Sequence, residues 1–276
     1  MTVADAIRAA AERLAATSDT ARLDAELLMA HVLGASRSAM LLSRMREEAE
    51  PHLAAFDALV SRRAAREPVA HLLGVQEFFG LEFAVTPDTL IPRGDSETIV
   101  QAALDSARHD ARVLDMGTGS GALLLAFLAE RPAASGVGID ASAAALEVAR
   151  GNGERLGLAA RAQFGQASWL HQGWADALGR FDLILCNPPY VERDADLDRD
   201  VRDYEPASAL FAGPEGLDDY RAIIPQLGKL LCPGGVAVLE IGATQEAAVS
   251  ALGRESGFTV AMKSDLAGRP RALIFT

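Results

Sequence analysis

The sequence predicts an α/β protein: a parallel sheet covered by helices on both faces, preceded by a small helical bundle. Two patterns predict it. Apolar residues recur at helical spacing from Thr2 to about Glu67, and from Arg112 onward short apolar runs alternate with helical segments. Strands that alternate with helices imply parallel pairing with both faces buried. Composition agrees, because half of the 276 residues are apolar and only 5% are aromatic. Alanine and leucine carry much of that content, which favours helices over an all-β sandwich. The length suits one full-size domain plus a small one.

Taken in order, Ala6, Ile7, Ala10 and Leu14 form one apolar face, and Ala25, Leu28, Met29, Val32 and Leu33 form a second, stopped at Gly34. A third helix is expected over Pro51 to Arg66 with Leu53, Phe56, Leu59 and Val60 inward. The domain boundary is placed at residues 76 and 77, the first domain (1–76) being a helical one whose functional role would be to grip a substrate. Residues 77–110 form a junction, with Phe78 to Val85 reading as two short strands around a glycine turn before Pro87 and Pro92 break the chain. The second domain (77–276) then runs strand Ala111–Asp115, helix Ala122–Glu130, strand Gly136–Asp140, helix Ser142–Leu156 and strand Phe181–Cys186. Gly235–Ile241 is a further strand followed by a helix, and Phe258–Met262 and Ala272–Phe275 supply the last two.

The net charge of −12 opposes polyphosphate, so a dedicated duplex-binding protein and stable nucleic-acid binding are not expected. Arg62, Arg63 and Arg66 cluster in one segment, read as a solvated helix face. Cys186 and Cys232 lie far apart and the five histidines are scattered, so neither a metal site nor a disulfide framework is expected. The first sixteen residues lack the apolar core of a signal peptide and no stretch has the composition of a membrane span. A cytoplasmic protein, monomeric for want of a long apolar surface stripe, is the expectation.

Candidate chemistry falls at the carboxyl ends of the strands, where ligands bind in such sheets. Gly117-Thr118-Gly119-Ser120-Gly121 follows the first strand of the second domain and opens a helix. Its glycines allow a tight turn and close approach of backbone to a ligand. Asp140 ends the next strand, where a carboxylate accepts hydrogen bonds from both hydroxyls of a ribose. Together they read as a site for an adenosine-containing cofactor, nicotinamide or S-adenosyl-L-methionine. The glycine spacing departs from the Gly-x-Gly-x-x-Gly of the dinucleotide fingerprint.

Asn187-Pro188-Pro189-Tyr190 directly follows the strand ending at Cys186. An amide or exocyclic amine nitrogen is a poor nucleophile because its lone pair is delocalised. Two acceptors aimed at its two hydrogens would polarise it and hold it in line with an electrophile. The Asn187 side-chain oxygen can be one, and the Pro188 carbonyl the other, presented rigidly because consecutive prolines restrict the backbone. Tyr190 can stack on the planar group. Cys186 beside this clamp reads as a small buried apolar residue.

These residues together resemble the HemK/PrmC family of protein-(glutamine-N5) methyltransferases. The similarity extends to Ala21 to Leu28, Arg62 to Ala70, Leu73-Gly74, Glu77-Phe78 and Leu90-Ile91-Pro92-Arg93-Gly94-Asp95-Ser96-Glu97. It continues through Tyr204-Glu205-Pro206, Ala209-Leu210, Gly216-Leu217, Tyr220-Arg221, Glu240-Ile241-Gly242, Gln245 and Asp265 to Arg269, the middle segments matching its release-factor branch. The resemblance implies a Rossmann-like class I methyltransferase sheet. It further implies that Gly117 to Gly121, Asp140, Ser168, Trp169 and Asn187 contact S-adenosyl-L-methionine, leaving S-adenosyl-L-homocysteine as product. The substrate implied is the glutamine of the Gly-Gly-Gln loop of class 1 peptide chain release factors, received by Asn187, Pro188, Pro189 and Tyr190, with Asn187, Pro188 and Tyr190 catalytic. Arg93 and Glu97 either shape the entrance for the substrate loop or pair with each other.

Three positions depart from the family pattern: Gly94 stands in place of Pro, Ser96 in place of Thr, and Ser168 in place of the Asp before the tryptophan. The first two loosen a loop over the site, and the third removes a charge beside the adenine, which predicts weaker cofactor binding. Two readings compete with the leading one. The same clamp suits an adenine or cytosine amino group of DNA or RNA, or a ribosomal-protein glutamine; a flipped base would call for a basic channel that the charge does not provide. A non-catalytic binder of S-adenosyl-L-methionine is the other, and the intact clamp opposes it.

Overall fold

The structure, a computed structural model, describes residues 1–276. It resolves into two compact units, residues 1–75 with 197–204, and residues 76–196 with 205–276. Nothing in the sequence pattern singles out 197–204 as part of the first unit.

The first unit comprises α1 (Val3–Leu14), α2 (Ala21–Val32), α3 (Arg37–Ser43), α4 (Leu53–Ala64) and α5 (Val69–Leu73). The third and fifth of these, seven and five residues long, are too short for periodicity to reveal. Thr2 starts α1 with a reciprocal capping box, its side chain accepting from Asp5 N while the Asp5 carboxylate accepts from Thr2 N. Ile7, Leu14, Leu28, Met29, Met40 and Phe56 are fully buried between the helices.

The solvated-face reading of the arginine cluster holds for Arg62, which is half exposed and paired with Glu67, and fails for Arg63. Phe56, Val60 and Arg63 stand at i, i+4 and i+7, one face of α4, and all three are buried. Arg63 donates to Asp24 at 2.7 Å and to Asp200 at 2.6 Å. Asp200 lies on the helical turn Arg199–Arg202, and Tyr204 nearby donates its hydroxyl to the Ala65 carbonyl at 2.9 Å. These contacts hold the 197–204 strip in the first unit.

The second unit opens one residue into a hairpin, β1 (Val75–Phe78) and β2 (Leu81–Ala84). After it come α6 (Glu97–Ser106), β3 (Arg112–Met116), α7 (Ala122–Glu130), β4 (Ser135–Asp140), α8 (Ala143–Arg155), β5 (Ala162–Gln166) and β6 (Phe181–Cys186). The helix Asp218–Ile223, β7 (Leu231–Glu240), the helix Glu246–Glu255, β8 (Val260–Ser264) and β9 (Pro270–Phe275) complete it. The seven-stranded sheet has the order β5-β4-β3-β6-β7-β9-β8. Six strands share one direction and β9 alone is reversed, antiparallel to both β7 and β8, so the expectation of a purely parallel sheet is corrected at its C-terminal edge. β5 was not anticipated: it is an edge strand with one buried residue in five, and so lacks an apolar run.

Side chains alternate between two core layers. Val113, Leu183 and Leu185 pack on one face with Leu124 and Phe127 of α7. Leu114, Met116, Ile184 and Cys186 pack on the other with Tyr220, Ile223 and Leu227. The register pairs Met116 with both Ile139 and Cys186, and Cys186 with Leu239. Strands β3, β4, β6 and β7 therefore end level, and their following loops share one rim. Asn152 on α8, fully buried, accepts from Ala84 N at 2.7 Å and donates to Ala84 O and Ser120 O. It ties the hairpin to the glycine loop.

Candidate active site

The glycine loop is built by its backbone. Gly117 N and Thr118 N both donate to Ile139 O at 2.9 Å, and Gly121 N donates to Thr118 O at 2.7 Å. Gly121 caps α7 with φ of 83°, a left-handed conformation that side chains resist. At Gly117 a Cβ would meet the Trp169 ring at 3.1 Å, so the tryptophan lies on the loop only because the side chain is absent. Below the loop, Thr118 Oγ1 donates to Asp115 Oδ2 at 2.6 Å. Asp115 is wholly buried, and burial pushes its carboxyl up to about 7, with the Asp140 charge acting in the same direction.

Asp140 stands at the end of β4, as the sequence requires. Its Oδ2 accepts from Gly119 N and its Oδ1 from Ser142 N, each at 2.9 Å. Two backbone donors fix the carboxylate and leave each oxygen a further lone pair. Ser168 and Trp169 follow β5, and the indole N–H donates to Asp219 Oδ1 at 2.7 Å.

These groups line a cleft of about 250 Å³. Gly117, Thr118, Gly119, Ser120, Asp140, Ser168, Trp169, Asn187, Pro189 and Arg93 all face it, joined by Ser96, Pro206 and Asp219. Gly121, Pro188, Tyr190 and Glu97 do not line it. A glycine turn that a Cβ would obstruct, a fixed carboxylate and an aromatic wall form a donor set and shape that fit an adenosine-containing group.

The clamp follows β6. Asn187 Nδ2 donates to Ser96 Oγ at a long 3.5 Å. Gln245 Nε2 donates to the Tyr190 carbonyl at 3.0 Å and to Gly216 O at 3.2 Å, holding the chain as it leaves the clamp. The Tyr190 hydroxyl donates to the buried carboxylate of Glu240 at 3.2 Å. Burial and the Glu240 charge push the phenol well up, so it stays protonated. Cys186 is fully buried and its thiol is also pushed up by burial, which suits a small core residue.

Arg93 and Glu97 do not pair. Arg93 forms an ion pair with Glu205, whose side chain is 1% exposed and whose other oxygen accepts from Ile91 N at 2.9 Å. Glu97 accepts from Phe79 N at 2.9 Å, at a hairpin residue with φ of 52°. One oxygen of that carboxylate is thus engaged at the turn, and Glu97 does not line the cleft. The turn Gly94–Ser96 is not loose either, because Asp95 accepts from Arg269 at 3.0 Å and from Arg271 at 2.9 Å. Asp219, Glu205 and Glu240 were not read from sequence as site residues. Each sits within or beside a segment quoted for the family resemblance, which was the one available signal.

Comparison with known proteins matches residues 5–74 to the PrmC N-terminal domain and residues 107–254 to a methyltransferase domain. The release factor glutamine methyltransferase of Cereibacter sphaeroides is 45% identical over 276 residues, covering 98% of this chain and 97% of that protein. The enzyme of the same name from Bradyrhizobium diazoefficiens is 41% identical over 281 residues, covering 98% and 93%. Among solved structures, a methyltransferase from Pyrococcus furiosus aligns with a TM-score of 0.54 at 20% identity, over 78% of this chain and 98% of that one. A ribosomal protein L11 methylase from Lactobacillus delbrueckii subsp. bulgaricus aligns with a TM-score of 0.50 at 23% identity, over 68% and 81%. At such identities the structural likeness speaks for the fold.

Proposed function

The chain belongs to the release factor glutamine methyltransferase family, and from that premise we propose how its cleft carries out the reaction. It is an S-adenosyl-L-methionine-dependent methyltransferase whose substrate is the glutamine of peptide chain release factors. Our finer reading is that N5 of the glutamine in the Gly-Gly-Gln loop of class 1 factors is the acceptor. The observation that carries it is the clamp: Asn187 and Pro189 face the same cleft as the glycine loop and Asp140.

In this reading Gly117 to Gly121 give a turn whose backbone the cofactor can approach closely, Asp140 takes the ribose hydroxyls, and Ser168 and Trp169 border the adenine. Bound there, the cofactor supplies a methyl group on a sulfonium centre. Asn187 Oδ1 and the Pro188 carbonyl accept the two N–H bonds of the glutamine amide and direct its lone pair at that methyl. Pro189 and Tyr190 keep the carbonyl in place. Most of the rate comes from positioning and preorganised dipoles. The methylated nitrogen sheds its proton to water, so no strong general base is needed. Arg93, paired with Glu205, lines the cleft.

The helical unit at residues 1–75 is read as a grip on the release factor, the protein as a monomer without stable nucleic-acid binding, and its place as the cytoplasm. The net charge of −12 supports the exclusion of nucleic acid, and no helix is long and apolar enough to cross a membrane. Labelled S-adenosyl-L-methionine incubated with a release factor, its Gln→Ala variant and DNA tests the reading. Label is expected on the intact factor alone. Label on DNA, or label persisting on the Gln→Ala factor, overturns it.

A further inference from the structure

Gln245 does not line the cleft. It stands at the head of the helix Glu246–Glu255, yet its side chain reaches the clamp. Its Oε1 accepts from Gly242 N at 3.0 Å, and its Nε2 donates to Tyr190 O at 3.0 Å and to Gly216 O at 3.2 Å. One orientation of the amide satisfies all three bonds. Turned over, its oxygen would face two carbonyls and its NH2 would face an N–H. The main chain of Gln245 is fixed as well, its N–H donating to Gly242 O at 2.9 Å and its carbonyl accepting from Val249 N at 3.0 Å. Two glycines make room for the amide. A Cβ at Gly242 would lie 2.8 Å from Gln245 Oε1. One at Gly216 would lie 2.8 Å from Nε2 and 2.2 Å from the Tyr190 carbonyl oxygen.

We propose that Gln245 is a positioning residue for methyl transfer: by holding the Tyr190 carbonyl it fixes the far end of the clamp, and with it the direction of the Pro188 carbonyl. The proposal rests on the functional reading above, in which that carbonyl receives one N–H of the substrate amide. The clamp needs support from outside because of its own sequence. Pro188 and Pro189 have no N–H, so neither residue can tie the turn down through a backbone donor. The near end is set by the sheet, where Cys186 pairs with Met116 and with Leu239. The far end is set at the Tyr190 carbonyl and at Val191, whose N–H donates to Leu210 O at 2.8 Å. Between these anchors the peptide units are planar and the proline rings fix φ. Few torsions are left to absorb a displacement, so a shift of the Tyr190 carbonyl is passed back to Pro188. Misplacement by about 1 Å at a positioning contact costs on the order of a hundredfold in rate.

The test uses the full chain with release factor and S-adenosyl-L-methionine, reading kcat, release-factor KM, cofactor Kd and Tm, with rates taken well below the Tm of every variant. Gln245→Glu has the same shape and still accepts from Gly242 N, but it sets an oxygen against the Tyr190 and Gly216 carbonyls. Its kcat is expected to fall by about tenfold or more, as for a lost preorganised contact, with cofactor Kd within about twofold. Gln245→Met keeps the length without the hydrogen bonds and guards against misfolding of the first variant; its kcat should fall in the same way. Gly216→Ala presses on the Tyr190 carbonyl from its other side and should give the same signature, a lower kcat with cofactor Kd kept. A residue that serves the fold alone would lower Tm and leave the kcat of the folded variants at the wild-type value, which overturns the proposal. A kcat loss matched by an equal loss of cofactor affinity overturns it too. Wild-type protein that leaves the release factor unlabelled overturns the functional reading and this proposal with it. Equal turnover by wild type, Gln245→Glu and Gln245→Met removes this proposal alone.

Discussion

Trp169 and Asp219, fifty residues apart, meet through an indole N–H···carboxylate bond of 2.7 Å, and the ring so held covers the glycine loop at Gly117. The wall of the cleft is thus set by a helix, Asp218–Ile223, far from the cofactor motif in sequence. Asp219 is largely buried, and burial raises its carboxyl. Asp219→Ala frees the indole and leaves a half-buried donor without its partner, a loss of about 1–2 kcal/mol. The expected result is a cofactor Kd about tenfold higher by calorimetry. An unchanged Kd would show that the ring keeps its place by packing alone.

Ser168 gives the complementary case. The sequence predicts weaker cofactor binding for want of the family's carboxylate, but the cleft is already lined by Asp88, Asp140 and Asp219. A fourth carboxylate adds repulsion along with any new hydrogen bond. Ser168→Asp is therefore expected to leave the Kd within about threefold. A gain of about tenfold or more would show that the missing charge was costing affinity.

Asn187→Ala removes the side-chain oxygen proposed to receive the substrate amide while leaving the glycine loop and Asp140 intact. Turnover is expected to fall about a hundredfold or more, the usual scale for a preorganised polar contact, with cofactor binding changed far less. Single-turnover rates beside calorimetric Kd values make the comparison. Near-wild-type turnover would remove the amide from the mechanism.

What sequence could and could not show has a common physical origin. The glycine loop, Asp140 and the clamp are local: each is a strand end followed by residues whose backbone preferences set the turn, so order along the chain was enough. Arg93 with Glu205 and Trp169 with Asp219 are contacts between distant segments, 112 and 50 residues apart, and no periodicity encodes them. Strand direction escapes for a related reason. The alternation of β9 looks the same whether it pairs parallel or, as it does with β7, antiparallel. Arg63 differs again: its spacing places it on the Phe56 and Val60 face, and there position outweighs charge.

Arg63 carries a prediction of its own. Its side chain is 8% exposed and it neutralises Asp24, itself 6% exposed, together with Asp200. Removing one member of a buried ion cluster strands the others, a loss of about 3–5 kcal/mol. Arg63→Ala is expected to destabilise the helical unit by about that amount in chemical denaturation and to expose the 197–204 strip to protease. Loss under about 1 kcal/mol would mean that water replaces the guanidinium at little cost.

The last prediction concerns pH. Asp115 is fully buried, with Oδ1 unpartnered and Oδ2 accepting from Thr118, and burial raises its carboxyl from 3.8 to about 7. Glu240 is raised to about 7 for the same reason. A folded-state pKa above the unfolded value means that the native protein binds more protons between those values. Stability is then greatest below about pH 4 for these groups and is lost as pH rises toward and through about 7. For Asp115 the span corresponds to about 4 kcal/mol at 1.36 kcal/mol per unit, an upper figure because buried sites relax. Trp169 and Trp174 both lie in the second unit, so urea unfolding followed by tryptophan fluorescence reports on it. Without cofactor, the wild type is expected to be less stable at about pH 8 than at about pH 5, and Asp115→Asn, which cannot ionise, should remove part of that slope. Equal slopes in the two proteins would mean that Asp115 reaches solvent in the cofactor-free state, and the buried acid beneath the glycine loop would have to be redrawn as a hydrated one.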